Sequence, residues 1–252
     1  MITRNEIKLY KSLSSRQGRR KSDLCICEGL KCCLELFISR RDLIKRALCL
    51  QEFDRSDFSG LDFEYISEEQ MKQISPVINP QGIIFVLKRP EYAKFAGFCG
   101  DPFLLLLDSI QDPGNLGTII RTAKSAGLKR IFLSENSADP YSDKVIRAAT
   151  AQQFAMEICT YDNLESFSDE LLSMGCSKVF LSVVSGGADV FREPELFDRS
   201  AIVFGNEGSG ISKNIRGIPV SIPMPGGTES LNVAQAATVI LFDAVRRGIF
   251  KT

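Results

Sequence analysis

The 252-residue chain contains no histidine. That absence removes the Ser-His and Cys-His nucleophile systems and every His-ligated metal centre. Acid–base chemistry therefore falls to Arg, Lys, Asp, Glu, Tyr, Cys or the substrate itself. Long apolar runs are missing too, none reaching the roughly 18 residues expected of a membrane span. The first ten residues, MITRNEIKLY, are charged from Arg4 onward, so no secretory signal is visible. Paired C-x-x-C spacing is also lacking, although there are eight cysteines, at 25, 27, 32, 33, 49, 99, 159 and 176. Without a signal segment, a reduced, cytoplasmic setting is expected. Cys25 and Cys27, with Cys32 and Cys33, form the only cluster, and its spacing is not that of a structural zinc site. Cys25 and Cys27 share one face of the strand-like DLCICEG and read as core, so no metal is expected.

Hydrophobic residues make up 44% of the chain and charged residues 25%, the balance of an ordinary globular protein. Formal net charge is zero but unevenly placed. Residues 1–46 carry twelve basic and five acidic side chains, a net of +7, whereas residues 96–252 carry fourteen and eighteen, a net of −4. A basic N-terminal portion is compatible with a polyanionic partner and equally with a solvated helix face.

Helices are expected over 5–14 and 29–38, and strands over 23–28 and 82–88. Residues 62–74 read as a strand running into a short helix capped by Ser67. Residues 88–101, with two Gly, one Pro and no clear periodicity, read as a linker. The spacing beyond it predicts strand 103–109, helix 115–126, strand 130–134, helix 142–152, strand 154–160 and helix 163–174. Strands 178–184, 200–205 and 219–223 follow, then a long helix over 232–248. The continuous run FLLLLDS fits a strand buried on both faces. Strands alternating with helices argue for a parallel sheet covered on both faces. The expected division is 1–90, a 91–101 linker, and 102–252.

Three glycine-bearing junctions stand out. In 108-DSIQDPGNLGTIIRTAKSAG-127, Asn115 is a plausible N-cap, Gly127 a plausible helix terminator, and Gly117 and Arg121 share one helix face. A glycine early in a helix makes sense where something approaches closely, or where the helix packs tightly on a sheet. In 202-IVFGNEGSGIS-212 the glycines are spaced G-x-x-G-x-G, which is not the dinucleotide fingerprint; a G-x-x-x-x-G-K-[ST] phosphate loop is likewise absent. In 221-SIPMPGGTESLNVAQAATVILFDAVRR-247, two glycines and the polar Thr228, Glu229, Ser230 and Asn232 precede an apolar helix, which Ser230 or Asn232 could cap. If their strands are parallel, all three junctions lie at one sheet edge, where open α/β folds bind ligands. One pocket is expected there, with Arg121, Glu207, Ser230 and Asn232 around it.

Together these junctions resemble the SpoU (TrmH-type) RNA ribose 2′-O-methyltransferases. The family's N-x-G-x-x-x-R is matched by Asn115, Gly117 and Arg121, its G-x-E-G by Gly205, Glu207 and Gly208, and its I-P-M-x-G-x-x-x-S-L-N-V by Ile222 to Val233. A weaker echo at 139-DPYSDKVIRAATAQQF-154 keeps Ser142, Lys144 and Arg147 but has Ala149-Thr150-Ala151-Gln152 where small residues and a Gly are more usual. The N-terminal portion is similar to the family's small α/β RNA-binding domain.

This resemblance implies an α/β parallel-sheet domain with a C-terminal trefoil knot, S-adenosylmethionine as methyl donor, and a homodimer. It implies Gly205, Ile222 and Leu231 as donor contacts, with Asn206, Gly208 and Met224 beside them. Arg121 is implied to act on the ribose hydroxyl, with Asn115, Glu207, Ser230 and Asn232 orienting loops and ribose. Arg16, Arg19, Arg20 and Lys21, with Lys144 and Arg147, are expected to grip RNA, ribosomal RNA being favoured over transfer RNA by analogy. Two alternatives stay open: a non-catalytic RNA-binding or ribosome-assembly protein keeping the fold, and a knotted enzyme that methylates a base.

Overall fold

A computed structural model describes residues 2–95, 97–98, 100–213, 215–227 and 229–250. Cys99 and Thr228 lie outside the described residues. The chain divides into two compact units, one of residues 1–91 with 139–155, the other of 92–138 with 156–252. The boundaries expected from sequence gave 139–155 to the second portion; its contacts lie with the first.

In the first unit, helices α1 (Arg4–Ser12) and α2 (Arg16–Ser22) precede strand β1 (Leu24–Glu28) and helix α3 (Leu30–Ser39). Strands β2 (Ile44–Cys49) and β3 (Glu64–Tyr65), helix α4 (Glu68–Ile74) and strand β4 (Ile83–Lys88) follow. The sheet order is β1-β4-β2-β3, with β4 antiparallel to both neighbours and β2 parallel to β3. α1 opens with a capping box of Thr3 and Glu6, and α4 with one of Ser67 and Gln70. Two elements were not expected. α2 (RQGRRKS) has no apolar stripe and is started by Ser15, whose hydroxyl accepts from the Gly18 N–H. β2 (IKRALC) hides its strand character behind Lys45 and Arg46; Arg46 ion-pairs with Glu6 and Glu64 beside the sheet.

The second unit begins with β5 (Leu104–Leu107), α5 (Pro113–Ala126) and β6 (Arg130–Ser134). α6 (Asp143–Ala149) then belongs to the first unit. The second unit resumes with β7 (Glu157–Tyr161), α7 (Leu164–Ser173), β8 (Val179–Ser182), the two-residue β9 (Ala188–Asp189), β10 (Ala201–Phe204), β11 (Ile218–Ser221) and α8 (Val233–Arg246). Its seven strands run in the order β7-β6-β5-β10-β8-β11-β9, and every pairing is parallel. All four leucines of β5 are fully buried, as a strand covered on both faces requires.

α5 starts two residues earlier than its spacing predicted. Asp112, not Asn115, is the N-cap: its carboxylate accepts from the Asn115 N–H at 2.7 Å, and Pro113 takes the first helical position. Gly127, at φ 109°, ends the helix by donating to Ala123 and Lys124 carbonyls. α6 is shorter than expected because Thr150 and Ala151 both turn to positive φ, 51° and 60°.

The seven described cysteines are free and buried. Burial pushes the Cys25 and Cys27 thiols up, and Cys159 to about 11. Since the thiolate is the reactive form, native protein at pH 8 should leave all seven unmodified by iodoacetamide, with full labelling only after unfolding. Peptide mass mapping checks this, and native labelling of the 25–33 cluster would contradict the packing described.

Candidate functional site

The sheet edge formed by the carboxyl ends of β5, β10 and β11 carries the three junctions. The Asp108 carboxylate, buried just after β5, accepts from both the backbone N–H and the hydroxyl of Ser212, each at 2.7 Å. Asn206 organises the loop after β10. Its amide donates to the Ser109 carbonyl at 3.0 Å, and its Oδ1 accepts from the Gly208 and Ser209 N–H groups at 2.9 and 3.0 Å. Its backbone exchanges two hydrogen bonds with Gly210. The loop thereby folds back on Gly205, where an added Cβ would lie 2.4 Å from Gly210 C and Ile211 N. Only glycine fits there, whatever the ligand.

The same edge joins side chains from all three junctions. The Asn115 amide nitrogen donates to Glu207 Oε1, and Asn115 Oδ1 accepts from Asn232 Nδ2 at 3.0 Å. Asn232 also caps α8, its Oδ1 accepting from the Ala234 N–H at 2.9 Å. Because Asp112 does the capping of α5, the Asn115 side chain is free for this chain of bonds. Lower down, Thr122 and Thr238 hydroxyls meet at 3.4 Å between α5 and α8.

A cleft of about 510 Å³ opens beside this network, within the range of about 300–1,000 Å³ usual for small-molecule sites. Gly205, Asn206, Ile222, Met224 and Leu231 line it, as do Glu207, Ser230 and Asn232. Sequence reasoning missed Val183, Val184, Phe204 and Ile211, which add apolar wall. It also missed Asp108, although a lone carboxylate closing a run of leucines at this sheet edge was a readable signal. Three expected site residues are not in the lining: Asn115, which bonds to Glu207 and Asn232 beside it, Gly208 and Arg121. Gly208 serves the loop through its N–H to Asn206 instead. Arg121 is exposed and has no hydrogen-bonding or ionic partner among the described residues. It lies six residues beyond Asn115, about 9 Å along the helix on a different face, and is not among the residues that line the cleft.

The lining fits S-adenosylmethionine. It offers apolar side chains for a flat heterocycle and backbone groups at Gly205 and Gly210 for close approach. Among the described lining residues the one ionisable side chain is the Glu207 carboxylate, which suits a ligand of net positive charge.

The SpoU rRNA Methylase family model matches residues 102–242, more than half of the chain. The chain belongs to the SpoU rRNA methylase family. It is 32% identical over 242 residues to the 23S rRNA (guanosine(2553)-2'-O)-methyltransferase RlmP of Bacillus subtilis, covering 94% of each chain. An AdoMet-bound rRNA methyltransferase from Sinorhizobium meliloti superimposes with a TM-score of 0.78 at 26% identity, covering 100% of this chain and 97% of that one. The SpoU methyltransferase AviRb from Streptomyces viridochromogenes, with AdoMet, shares the fold with a TM-score of 0.83 at 24% identity, covering 98% and 99%.

The basic residues expected to grip RNA in this SpoU family member all fall in the first unit. Arg16, Arg20, Lys21 and Lys144 are exposed, and Arg147 is half-buried with an ion pair to Asp143 at 2.9 Å. Arg19 is different. It is 3% exposed, ion-paired to Asp139 at 2.6 Å, and donates to the Leu13 and Ser14 carbonyls. Its guanidinium is consumed inside the unit and is not available to phosphate. Arg19→Ala should lower stability by about 3 kcal/mol, the cost of leaving a buried carboxylate unpaired. Denaturant unfolding measures this, and RNA affinity of the folded fraction should not change.

Proposed function

We propose that the protein transfers the methyl group of S-adenosylmethionine to a ribose 2′-hydroxyl of RNA, ribosomal RNA being the favoured class. The observation that carries this reading is the Asn115–Glu207–Asn232 chain of hydrogen bonds. It ties the three loops of the family's motifs around a cleft whose lining suits the donor. No observation favours the non-catalytic alternative.

Gly205, Ile222 and Leu231 would hold the donor, with Asn206 and Met224 beside them and Gly208 shaping the loop. When bound, S-adenosylmethionine supplies an electrophilic methyl group on a sulfonium. The protein's part is largely positioning. A ribose hydroxyl is a weak nucleophile until its proton is drawn away. A guanidinium is a poor base, so Arg121 acts as a cation on the ribose or its phosphate, lowering the hydroxyl's pKa; the proton passes to solvent as the oxygen–methyl bond forms and the sulfonium–methyl bond breaks. With no partner among the described residues, its donors are available for RNA. Asn115 fixes the Glu207 carboxylate through one oxygen, leaving the other for a hydroxyl or ammonium. Ser230, in the cleft lining, orients the same groups.

Arg16, Arg20, Lys21, Lys144 and Arg147 contact phosphates. The loops after β10 and β11 form a trefoil knot, a reading supported by β8 lying between β10 and β11. A homodimer is supported by Phe242 and Val245, apolar side chains of α8 left 47% and 40% exposed. Free cysteines suit a reducing, cytoplasmic setting, and no described helix is long and apolar enough to cross a membrane. Incubation with methyl-labelled S-adenosylmethionine and ribosomal RNA from cells lacking this protein tests the reading: label should enter RNA, and Asn115→Ala should sharply reduce it. Donor binding without any transfer to RNA would count against it.

A further inference from the structure

The first unit contains a second cavity, of about 340 Å³, that the proposed reaction does not use. Its walls come from the turn between β1 and α3, the loop between α4 and β4, and the end of α6. Glu28, 4% exposed, lines it, and both its carboxylate oxygens accept from the Ser75 hydroxyl, at 2.9 and 2.8 Å. Ser75 in turn holds the Val77 N–H, so the carboxylate anchors the loop. Burial pushes the Glu28 carboxyl up, with the Ser75 bond and Arg147 opposing. Gln81 Oε1 caps α3 by accepting from the Leu30 N–H at 3.0 Å, a job that Gly29, lacking a side chain, cannot do. The remaining amide donors of Gln81 and the side chains of Asn79 and Lys31 line the cavity without hydrogen-bonding partners among the described residues. Arg147 lines it too. Between Val77 and Asn79, both in the wall, Ile78 projects with 94% of its surface exposed.

We propose that this cavity takes one unpaired nucleotide of the RNA, its base among Val77, Asn79 and Gln81 and its phosphate near Lys31 and Arg147, while Ile78 packs on a neighbouring base. The inference rests on the RNA methyltransferase reading. Three observations carry it. The volume is that of a nucleotide, too small for a duplex. Amide and carboxyl groups lie among apolar walls, as base-edge recognition of splayed nucleotides requires. The segment 1–46, which supplies Glu28, Gly29, Lys31 and Cys32 to the wall, has a net charge of +7, which draws a polyanion. A bare apolar side chain beside such a pocket offers van der Waals contact to the face of an unpaired base.

The test uses full-length protein carrying Lys31→Glu with Asn79→Ala, two exposed side chains on which no described element depends. Fluorescein-labelled RNA 12-mers of mixed sequence, single-stranded and duplex, are the probes. The expected result is single-strand affinity reduced about tenfold, duplex affinity within about twofold, unchanged donor affinity, and a raised KM for ribosomal RNA at unchanged kcat. Equal losses on both probes, or no loss on either, would overturn the inference while wild-type methyl transfer leaves the function standing. Failure of the wild type to bind or methylate RNA would remove both.

Discussion

Arg121→Ala is expected to lower kcat by about 10²–10³-fold, the usual cost of removing one group that stabilises developing charge, while leaving the Kd for S-adenosylmethionine unchanged. Both halves follow from position. Arg121 is not among the residues that line the cleft, so donor binding should not depend on it. The exposed guanidinium has no partner among the described residues, so its truncation frees no buried group and costs little stability. A purely structural arginine would show the opposite pattern, with lost stability and retained turnover. Lysine should not restore the rate fully, because a point charge does not reproduce the planar fork of donors. Single-turnover kinetics with saturating donor, beside calorimetric titration of the donor, separate the two quantities. A variant that loses donor affinity in proportion to its rate would place Arg121 in the donor site instead.

Gly205→Ala is expected to abolish measurable donor binding. The new Cβ would stand 2.4 Å from two backbone atoms of Gly210 and Ile211, a contact that no rotamer change relieves. The loop must move, and the paired backbone bonds between Asn206 and Gly210 go with it. Overpacking of this kind costs about 1–3 kcal/mol, and it falls on the segment that positions Asn206 and Glu207. Gly226→Ala is the contrasting case for stability. A Cβ there meets nothing within 4 Å, so Tm should not change. Thermal unfolding and donor titration of both variants check the prediction; normal donor affinity in Gly205→Ala would show that the loop closes differently.

The contrast between these glycines shows what was legible in sequence. Glycine spacing marked the loops, but only the folded loop separates Gly205, whose Cβ would strike Gly210 and Ile211, from Gly226, whose Cβ would meet nothing. The buried parallel strands were readable because a run such as LLLL leaves no solvent face. β2 was not, since Lys45 and Arg46 disguise its alternation, and α2 was not, since a helix started by a serine cap needs no apolar stripe. Asn115 looked like a cap because it begins the apolar periodicity, yet the Asp112-Pro113 pair starts the helix and turns Asn115 toward Glu207 and Asn232. The charge of Arg19 suggested RNA, whereas its partner Asp139 lies 120 residues away, beyond any local pattern. The motif spacing pointed to the three loops, whereas which of the motif residues line the cleft depends on how those loops fold back on the sheet edge.

The most direct test of the central claim is the position of the transferred methyl group. RNA methylated by the wild-type protein from labelled S-adenosylmethionine would be hydrolysed completely in alkali. Alkaline cleavage needs a free 2′-hydroxyl, so the account predicts label recovered in alkali-resistant dinucleotides. Label recovered only in mononucleotides would put the methyl group on a base and contradict it.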